Sequence, residues 1–337
     1  MKKWLAGMLL LAGCGTQEPE KAKQPEQRQG DITAEAENLD APWSIEQNGG
    51  TFYISERTGT IAKVENGEVE QQPVQLTAPL SEAAEAGLLG FVLAPDFTES
   101  RESYAYYTYD KEGEPHNRVV TLKQDGSGWR ETSVILDGIQ SGSYHHGGRL
   151  EIGPDRALYI TIGDASEPER AQDPKSLNGK IIRVDESGNP SVYSMGHRNP
   201  QGITWMEDGT MYASEHGQSA NDEINRIEMG KNYGWPDIEG TEEKGGLETP
   251  LATSGPDETW APSGMATHKG ALYAASLRGE AVLKIDPKTG EAVKEIEGYG
   301  RIRDVFSDGK YLYFITNNTD GRGNPAEGDD KLYRVNP

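Results

Sequence analysis

The sequence predicts an all-β fold: a six-bladed β-propeller of four-stranded antiparallel blades around a central channel. Two observations carry the prediction. The first is a short strand written six times, each copy a Tyr inside an apolar run: Phe52-Tyr53-Ile54, Ala105-Tyr106-Tyr107, Leu158-Tyr159-Ile160, Met211-Tyr212-Ala213, Leu272-Tyr273-Ala274 and Leu312-Tyr313-Phe314. The second is their spacing. Successive Tyr lie 53, 53, 53, 61 and 40 residues apart, a period that suits one four-stranded sheet per repeat. Composition agrees, because 41 Gly and 15 Tyr serve tight turns and half-buried strands. A propeller gathers the loops at its inner strands around one channel, so polar residues far apart in sequence can share a site.

The chain begins Met1-Lys2-Lys3, continues with an apolar run from Trp4 to Gly13 and reaches Cys14. A basic start, a short apolar stretch and a small residue before a cleavage point form an export signal, and the run is too short to span a bilayer. Leu11-Ala12-Gly13-Cys14 resembles a bacterial lipobox, so residues 1–13 are expected to be a lipoprotein signal peptide. The mature protein would start at a lipidated Cys14, exported and held on the extracytoplasmic face of the cell membrane through that anchor alone. Cys14 is the single cysteine, which leaves no partner for an internal disulfide. The rest of 14–30 is Gln, Glu, Lys and Pro with almost no apolar residue, the composition of a flexible linker. Residues 31–337 are then read as one propeller domain. Lys and Arg number 33 against 55 Asp and Glu, a net charge of −22, which disfavours nucleic acid and anionic lipid headgroups as partners.

Four of the six His fall in Gly-rich, loop-like segments beside the repeated strands: His145 and His146 in 143–150, His197 in 196–202 and His216 in 214–219. In Tyr144-His145-His146-Gly147-Gly148-Arg149 the paired glycines permit positive φ or close backbone approach, and a His titrating near neutrality is a ready general base. Arg198 and Asn199, stiffened by Pro200, suit carboxylate and carbonyl oxygens. Arg301 and Arg303 alternate, so on a strand both guanidinium groups point to one face. Either acidic side chains pair with them or a polyanionic small molecule sits between them. The segment 215–223 is rich in oxygen donors, as a Ca²⁺ site or a solvated acidic turn would be, but lacks the EF-hand spacing. The chain carries no phosphate-binding loop, no Gly-x-Ser-x-Gly elbow and no His-Glu-x-x-His, which disfavours nucleotide hydrolysis, α/β-hydrolase chemistry and zinc proteolysis.

These residues resemble the soluble pyrroloquinoline-quinone (PQQ)-dependent glucose and aldose sugar dehydrogenases along nearly the whole folded chain. The resemblance runs through Leu39-Asp-Ala-Pro-Trp-Ser44, Glu56-Arg57-Thr-Gly59, Gly87-Leu-Leu-Gly90, Ala94-Pro-Asp-Phe97, His145 to Leu150, Ile162-Gly-Asp164 and Ala171-Gln-Asp173. Its most specific stretches are Gly196-His-Arg-Asn-Pro-Gln-Gly202, Glu215-His-Gly217, Asp222-Glu-Ile-Asn225, Asn232-Tyr-Gly-Trp-Pro236 and Arg301-Ile-Arg-Asp304. The resemblance implies oxidation of an aldose at C1 to a lactone, with PQQ and Ca²⁺ as cofactors and an external electron acceptor. It makes His145 the general base and places Glu85, Arg198, Asn199, His216, Thr259, Ser276, Leu277, Arg278, Arg301, Ile302 and Arg303 around the quinone. It implies a catalytic Ca²⁺ on the backbone oxygens of Gly217 and Gln218, and a second, structural Ca²⁺ on Glu223 and the Tyr233 carbonyl. Tyr144 and Asp164 are expected near the sugar.

The chain departs from the family pattern in places. Glu85 stands where a Gln is expected, Tyr144 replaces a polar or acidic neighbour of the base, Gln218 replaces a Pro and Arg278 a Lys. The stretch 237–257 looks short. Two other readings remain: a Ca²⁺-dependent propeller hydrolase or lactonase, which leaves Arg198, Arg301 and Arg303 without a role, and a sugar- or quinone-binding lipoprotein without turnover, which has no need of His145.

Overall fold

The computed structural model describes Met1 and residues 32–336, so the expected signal peptide, Cys14 and linker lie outside the described residues. Residues Asp31–Pro337 form one compact unit. It holds six four-stranded antiparallel blades, of which blades 1 and 2 are joined edge to edge by a short parallel pairing of their outer strands. Blade 1 is Pro42–Asn48, Thr51–Glu56, Thr60–Glu65 and Glu68–Gln75, and blade 2 is Leu88–Leu93, Glu102–Lys111, Glu114–Asp125 and Gly128–Gln140. Blade 3 runs through Gly147–Ile152, Leu158–Ile162, Lys180–Val184 and Pro190–Met195, and blade 4 through Pro200–Trp205, Met211–Glu215, Glu223–Ile227 and Ala252–Thr253. Blade 5 is Pro262–His268, Ala271–Ser276, Ala281–Ile285 and Ala292–Glu297. Blade 6 takes Ile302–Ser307, Leu312–Thr316 and Leu332–Val335 from the end of the chain and its outer strand, Ile32–Ala36, from the beginning. Pairing Ile32 with Val335 closes the ring.

Each repeated Tyr lies on the second strand of its blade. Among the described residues the apolar core is divided into six clusters, one between each pair of adjacent blades, and each repeated Tyr is buried in a different cluster. Tyr106 fills the interface of blades 2 and 3, and its hydroxyl donates to the His146 carbonyl at 2.7 Å, so an interblade residue also supports a loop at the channel. The long interval before Tyr273 comes from residues 228–251, which connect the last two strands of blade 4.

The first strand of every blade contacts the first strand of the next, and the sixth contacts the first, so these strands line the axis. Each also carries a register shift against its second strand, as between Gly147 and Leu150 or Ile302 and Asp304. A bulge bends the strand and re-aims a side chain, which turns six similar strands toward one central volume. Close approach demands glycine there. A Cβ on Gly90 would stand 2.1 Å from the Gly148 oxygen, and one on Gly264 only 1.5 Å from Asp304 Oδ1.

That Asp304 belongs to a network on the axis. Buried Arg149 of blade 3 donates from Nη1 to Asp304 Oδ2 of blade 6 at 3.0 Å and to Ser44 Oγ of blade 1 at 2.9 Å, and from Nε to the Gln201 carbonyl of blade 4 at 2.9 Å. Its guanidinium lies 4.3 Å from the centre of the Trp43 ring. Glu46 and Glu151 adjoin this network, and burial pushes both carboxyls up, Glu151 to about 8 although Arg149 opposes the shift.

Candidate functional site

Over Trp43 the inner loops enclose a cavity of about 230 Å³. The loop before blade 3 delivers His145, whose own backbone is left-handed at φ 65°. Gly163 lies against this turn, where a Cβ would meet the His145 carbonyl oxygen at 2.0 Å. His145 Nδ1 lies 2.8 Å from Asp164 Oδ1. The Asp164 side chain is fully buried; its Oδ1 also accepts the Ser166 N–H at 2.7 Å and its Oδ2 the Trp235 indole N–H at 2.9 Å. A carboxylate is an acceptor only, so this arrangement assigns the proton of His145 to Nδ1 and leaves Nε2 with its lone pair. Among the described residues Nε2 has no partner, and His145 lines both this cavity and an adjoining hollow formed with Trp235, Glu239 and Glu242. Asp164, expected beside the sugar, borders the adjoining hollow with His145, and with both oxygens engaged it is placed to orient the imidazole.

The other clustered histidines divide. His146 uses both nitrogens, 2.6 Å from Ser141 Oγ and 2.9 Å from the Ala84 carbonyl. His197 lies between Glu215 at 2.9 Å and Ser194 at 2.8 Å, stacked on Tyr233 and outside the cavity. His216 lines the cavity with Nε2 buried and unpartnered. Burial pushes it down to about 4 although Asp222 and Glu85 pull the other way, so it is neutral at pH 7.

Arginines dominate the remaining wall. Arg198 donates its backbone N–H to Glu215 and Nη1 to the His216 carbonyl at 3.3 Å, and its guanidinium lies 5.4 Å from the Trp235 ring centre. Asn199 Oδ1 accepts the Gly147 N–H at 3.0 Å, tying this loop to that of His145. Arg301 donates Nη2 to Asp320 at 2.9 Å. Arg303 donates to Asn317 Oδ1 and, at 3.0 Å, to Gln201 Oε1. Both guanidinium groups do face one volume, and Asp320 answers them in part. Burial pushes Arg303 down to about 9, Asp320 opposing and Arg301 and Arg57 adding to the shift.

Leu277, Arg278 and Thr259 also border the cavity, Thr259 with its hydroxyl donated to Asp222 Oδ2 at 2.8 Å. Two expected quinone contacts lie elsewhere. The Ile302 side chain is in the core between blades 5 and 6, because the residue between two inward arginines on a strand must point away. Ser276 is fully buried and donates to the Trp260 carbonyl at 2.6 Å. Sequence reasoning also missed residues. Arg57 lines the cavity with Nε and Nη2 on the Ala86 carbonyl, and Arg322 reaches it from the 317–330 loop to meet Glu85. Arg57 stood in a recognised motif without an assigned role, and Arg322 sits in a Gly-flanked turn that carries no chemical signature.

The wall fits a polyanion. Arg198 and Arg301 line the cavity, and among the described residues their buried Nε donors have no acceptor. For a cation the donors are sparser. Gly217 and Gln218 border the cavity, and among the described residues no donor reaches either carbonyl oxygen, yet no group of three or more His, Cys, Asp or Glu is arranged to hold a metal. A cation here would need oxygens from the bound cofactor. Outside the cavity, burial and nearby Glu215 push Glu223 up to about 8, and buried Asn225 Oδ1 between these carboxylates has no partner. Two crowded carboxylates and an orphan oxygen suit a hard cation.

Comparison with known proteins agrees with this architecture. The chain is 29% identical over 339 residues to an aldose sugar dehydrogenase of Escherichia coli K12, covering 85% of this chain and 89% of that protein. It is 33% identical over 239 residues to quinoprotein glucose dehydrogenase B of Acinetobacter calcoaceticus, covering 58% of this chain and 50% of that one. The structure superimposes on the PQQ-bound aldose sugar dehydrogenase of Streptomyces coelicolor with a TM-score of 0.84 and 35% identity, over 90% of this chain and 97% of that one. Residues 39–333 match the family model described as glucose/sorbosone dehydrogenase, and the chain belongs to that family.

Proposed function

We propose that the protein is a PQQ-dependent aldose dehydrogenase that oxidises the C1 hydroxyl of a sugar to a lactone and passes the electrons to an external acceptor. The observation that carries this reading is the pairing, in one cavity, of an oriented His base with unanswered guanidinium donors. Arg198, Asn199, Arg278, Arg301 and Arg303 would hold the quinone and its carboxylates, with Thr259 and Leu277 at its edge. When bound, PQQ supplies the acceptor for the hydride that leaves C1.

The protein's own part is proton chemistry and positioning. His145 Nε2 takes the proton of the anomeric hydroxyl as the C1–H bond breaks, and the oxygen's electron pair closes the lactone carbonyl. Asp164 fixes the ring in the required tautomer and stabilises the imidazolium that forms. Gly217 and Gln218 would offer carbonyls to a Ca²⁺ that polarises the quinone, and Glu223 with the Tyr233 carbonyl would hold a structural one. The anchor at Cys14 would place the enzyme on the extracytoplasmic face of the membrane.

The test is reconstitution of the purified protein with PQQ and Ca²⁺, following dye reduction with a panel of aldoses, with and without a chelator. Turnover that needs sugar and quinone, and falls on chelation, supports the reading. Quinone binding without turnover of any aldose overturns the dehydrogenase, and no quinone binding overturns the cofactor.

A further inference from the structure

At the mouth of the cavity three loops from different parts of the ring converge. Glu85 comes from the connection between blades 1 and 2, Tyr144 from that between blades 2 and 3, and Arg322 from the 317–330 loop of blade 6. Arg322 Nη1 donates to Glu85 Oε1 at 2.5 Å, and the guanidinium carbon lies 5.9 Å from the Tyr144 ring centre. The Glu85 backbone is left-handed at φ 63°, in a turn ahead of the first strand of blade 2. The Arg322 side chain keeps 47% of its exposure and Glu85 26%, so the pair is reachable from solvent. Among the described residues neither side chain makes another hydrogen bond. Glu85 Oε2 and the Nε and Nη2 of Arg322 are therefore free for a ligand. Residue Asp320 of the same loop turns inward to Arg301, so one loop serves both the deep wall and the mouth.

We propose that Arg322 and Glu85 together form the specificity element of the sugar subsite, selecting neutral aldoses over anionic ones; this rests on the dehydrogenase reading above. Both line the same cavity as His145, and both are reachable from solvent. A guanidinium and a carboxylate side by side present donors and acceptors to neighbouring hydroxyls, which are both. The exposed face of Tyr144, 46% accessible, offers an apolar surface to the C–H groups of a sugar ring. Paired, the two charges cancel. A uronate reaching Arg322 would have to displace Glu85 and would meet its carboxylate in doing so, so the pair disfavours an anion at this position by occupying one of the cations of the wall. Arg322 is thus a specificity-determining residue.

The experiment measures KM and kcat of the PQQ- and Ca²⁺-saturated protein for D-glucose and D-glucuronate, in wild type, Glu85→Gln, Arg322→Met, Arg322→Lys and the Glu85→Gln/Arg322→Met double variant. The competitive inhibition constant of 1,5-anhydroglucitol, which lacks the C1 hydroxyl, reads binding without turnover, and an absorption titration reads quinone affinity. Glu85→Gln frees the guanidinium and lowers KM for glucuronate relative to glucose by about tenfold, the usual scale of one charge-assisted contact. The double variant abolishes that gain. Arg322→Met raises KM and the inhibition constant together, with kcat and quinone affinity held, and Arg322→Lys restores part of the loss. If Glu85→Gln gains nothing on glucuronate, or Arg322→Met lowers quinone affinity and leaves the inhibition constant unmoved, the proposal fails while the dehydrogenase stands. A wild-type protein that oxidises no aldose overturns both.

Discussion

Replacing Asp164 by Asn exchanges one carboxylate oxygen for an NH₂ group and should stop most of the chemistry. In the native site Asp164 Oδ1 accepts from His145 and Ser166, and Oδ2 accepts from Trp235 at 2.9 Å. An amide has one acceptor. If its oxygen stays toward His145, its NH₂ opposes the indole N–H, donor against donor in a buried site. If it rotates, the NH₂ donates to His145 Nδ1 and drives the ring proton to Nε2, where the base must be empty. A lost hydrogen bond to a charged group costs about 1.5–3 kcal/mol, about 10- to 100-fold in rate, and the wrong tautomer can raise the loss to about 10⁴. The assay is steady-state dye reduction at saturating PQQ across the pH range, with the quinone titrated separately. kcat should fall by about 10² to 10⁴ with quinone affinity unchanged. Trp235→Phe, which keeps a ring under Arg198 and removes one donor, should sit between at about tenfold. An Asp164→Asn variant as fast as wild type would refute the assignment of His145 as the base.

Arg303→Met, which removes a buried cation from the wall, should weaken PQQ binding by about 10- to 100-fold in the same titration without unfolding the blade. Arg149→Met leaves Asp304 buried without its partner and should cost about 3–5 kcal/mol, read as a lower urea midpoint. Glu151 is pushed from 4.5 up to about 8, so the folded protein holds a proton that the unfolded chain releases. Its contribution to stability is complete below 4.5 and is lost as pH rises toward about 8. Glu151→Gln should flatten that fall, and a thermal midpoint whose pH dependence matches wild type would count against it.

The six Tyr strands were legible because the fold needs one large side chain with a polar tip at each interblade interface, and local periodicity records that need. Ring closure was not legible, since Ile32 and Val335 meet across almost the whole chain and neither carries a local mark. His145, Arg198, Asn199, Arg301 and Arg303 could be found because each sits in a loop or strand whose flanking residues betray a constrained polar group. Arg57 and Arg322 could not, because exposed or bland surroundings resemble those of any surface arginine. Ile302 and Ser276 were misplaced for the opposite reason: a motif names neighbours together, and a strand sends alternate ones to opposite faces. The six bulges that aim the site leave no trace in composition.

Arg149 beneath Trp43 has a kinetic meaning. Side chains of blades 1, 3 and 6 and a backbone carbonyl of blade 4 meet there and fill the axis under the cavity floor. A chamber with a filled floor is entered from the side of the loops, where the cavity and the adjoining hollow share His145 and Arg198. On the proposed dehydrogenase reading, sugar, lactone and any small acceptor that touches the quinone would all pass on that side. Oxidation and re-oxidation would then share one approach, and the sugar and the acceptor would each exclude the other at high concentration.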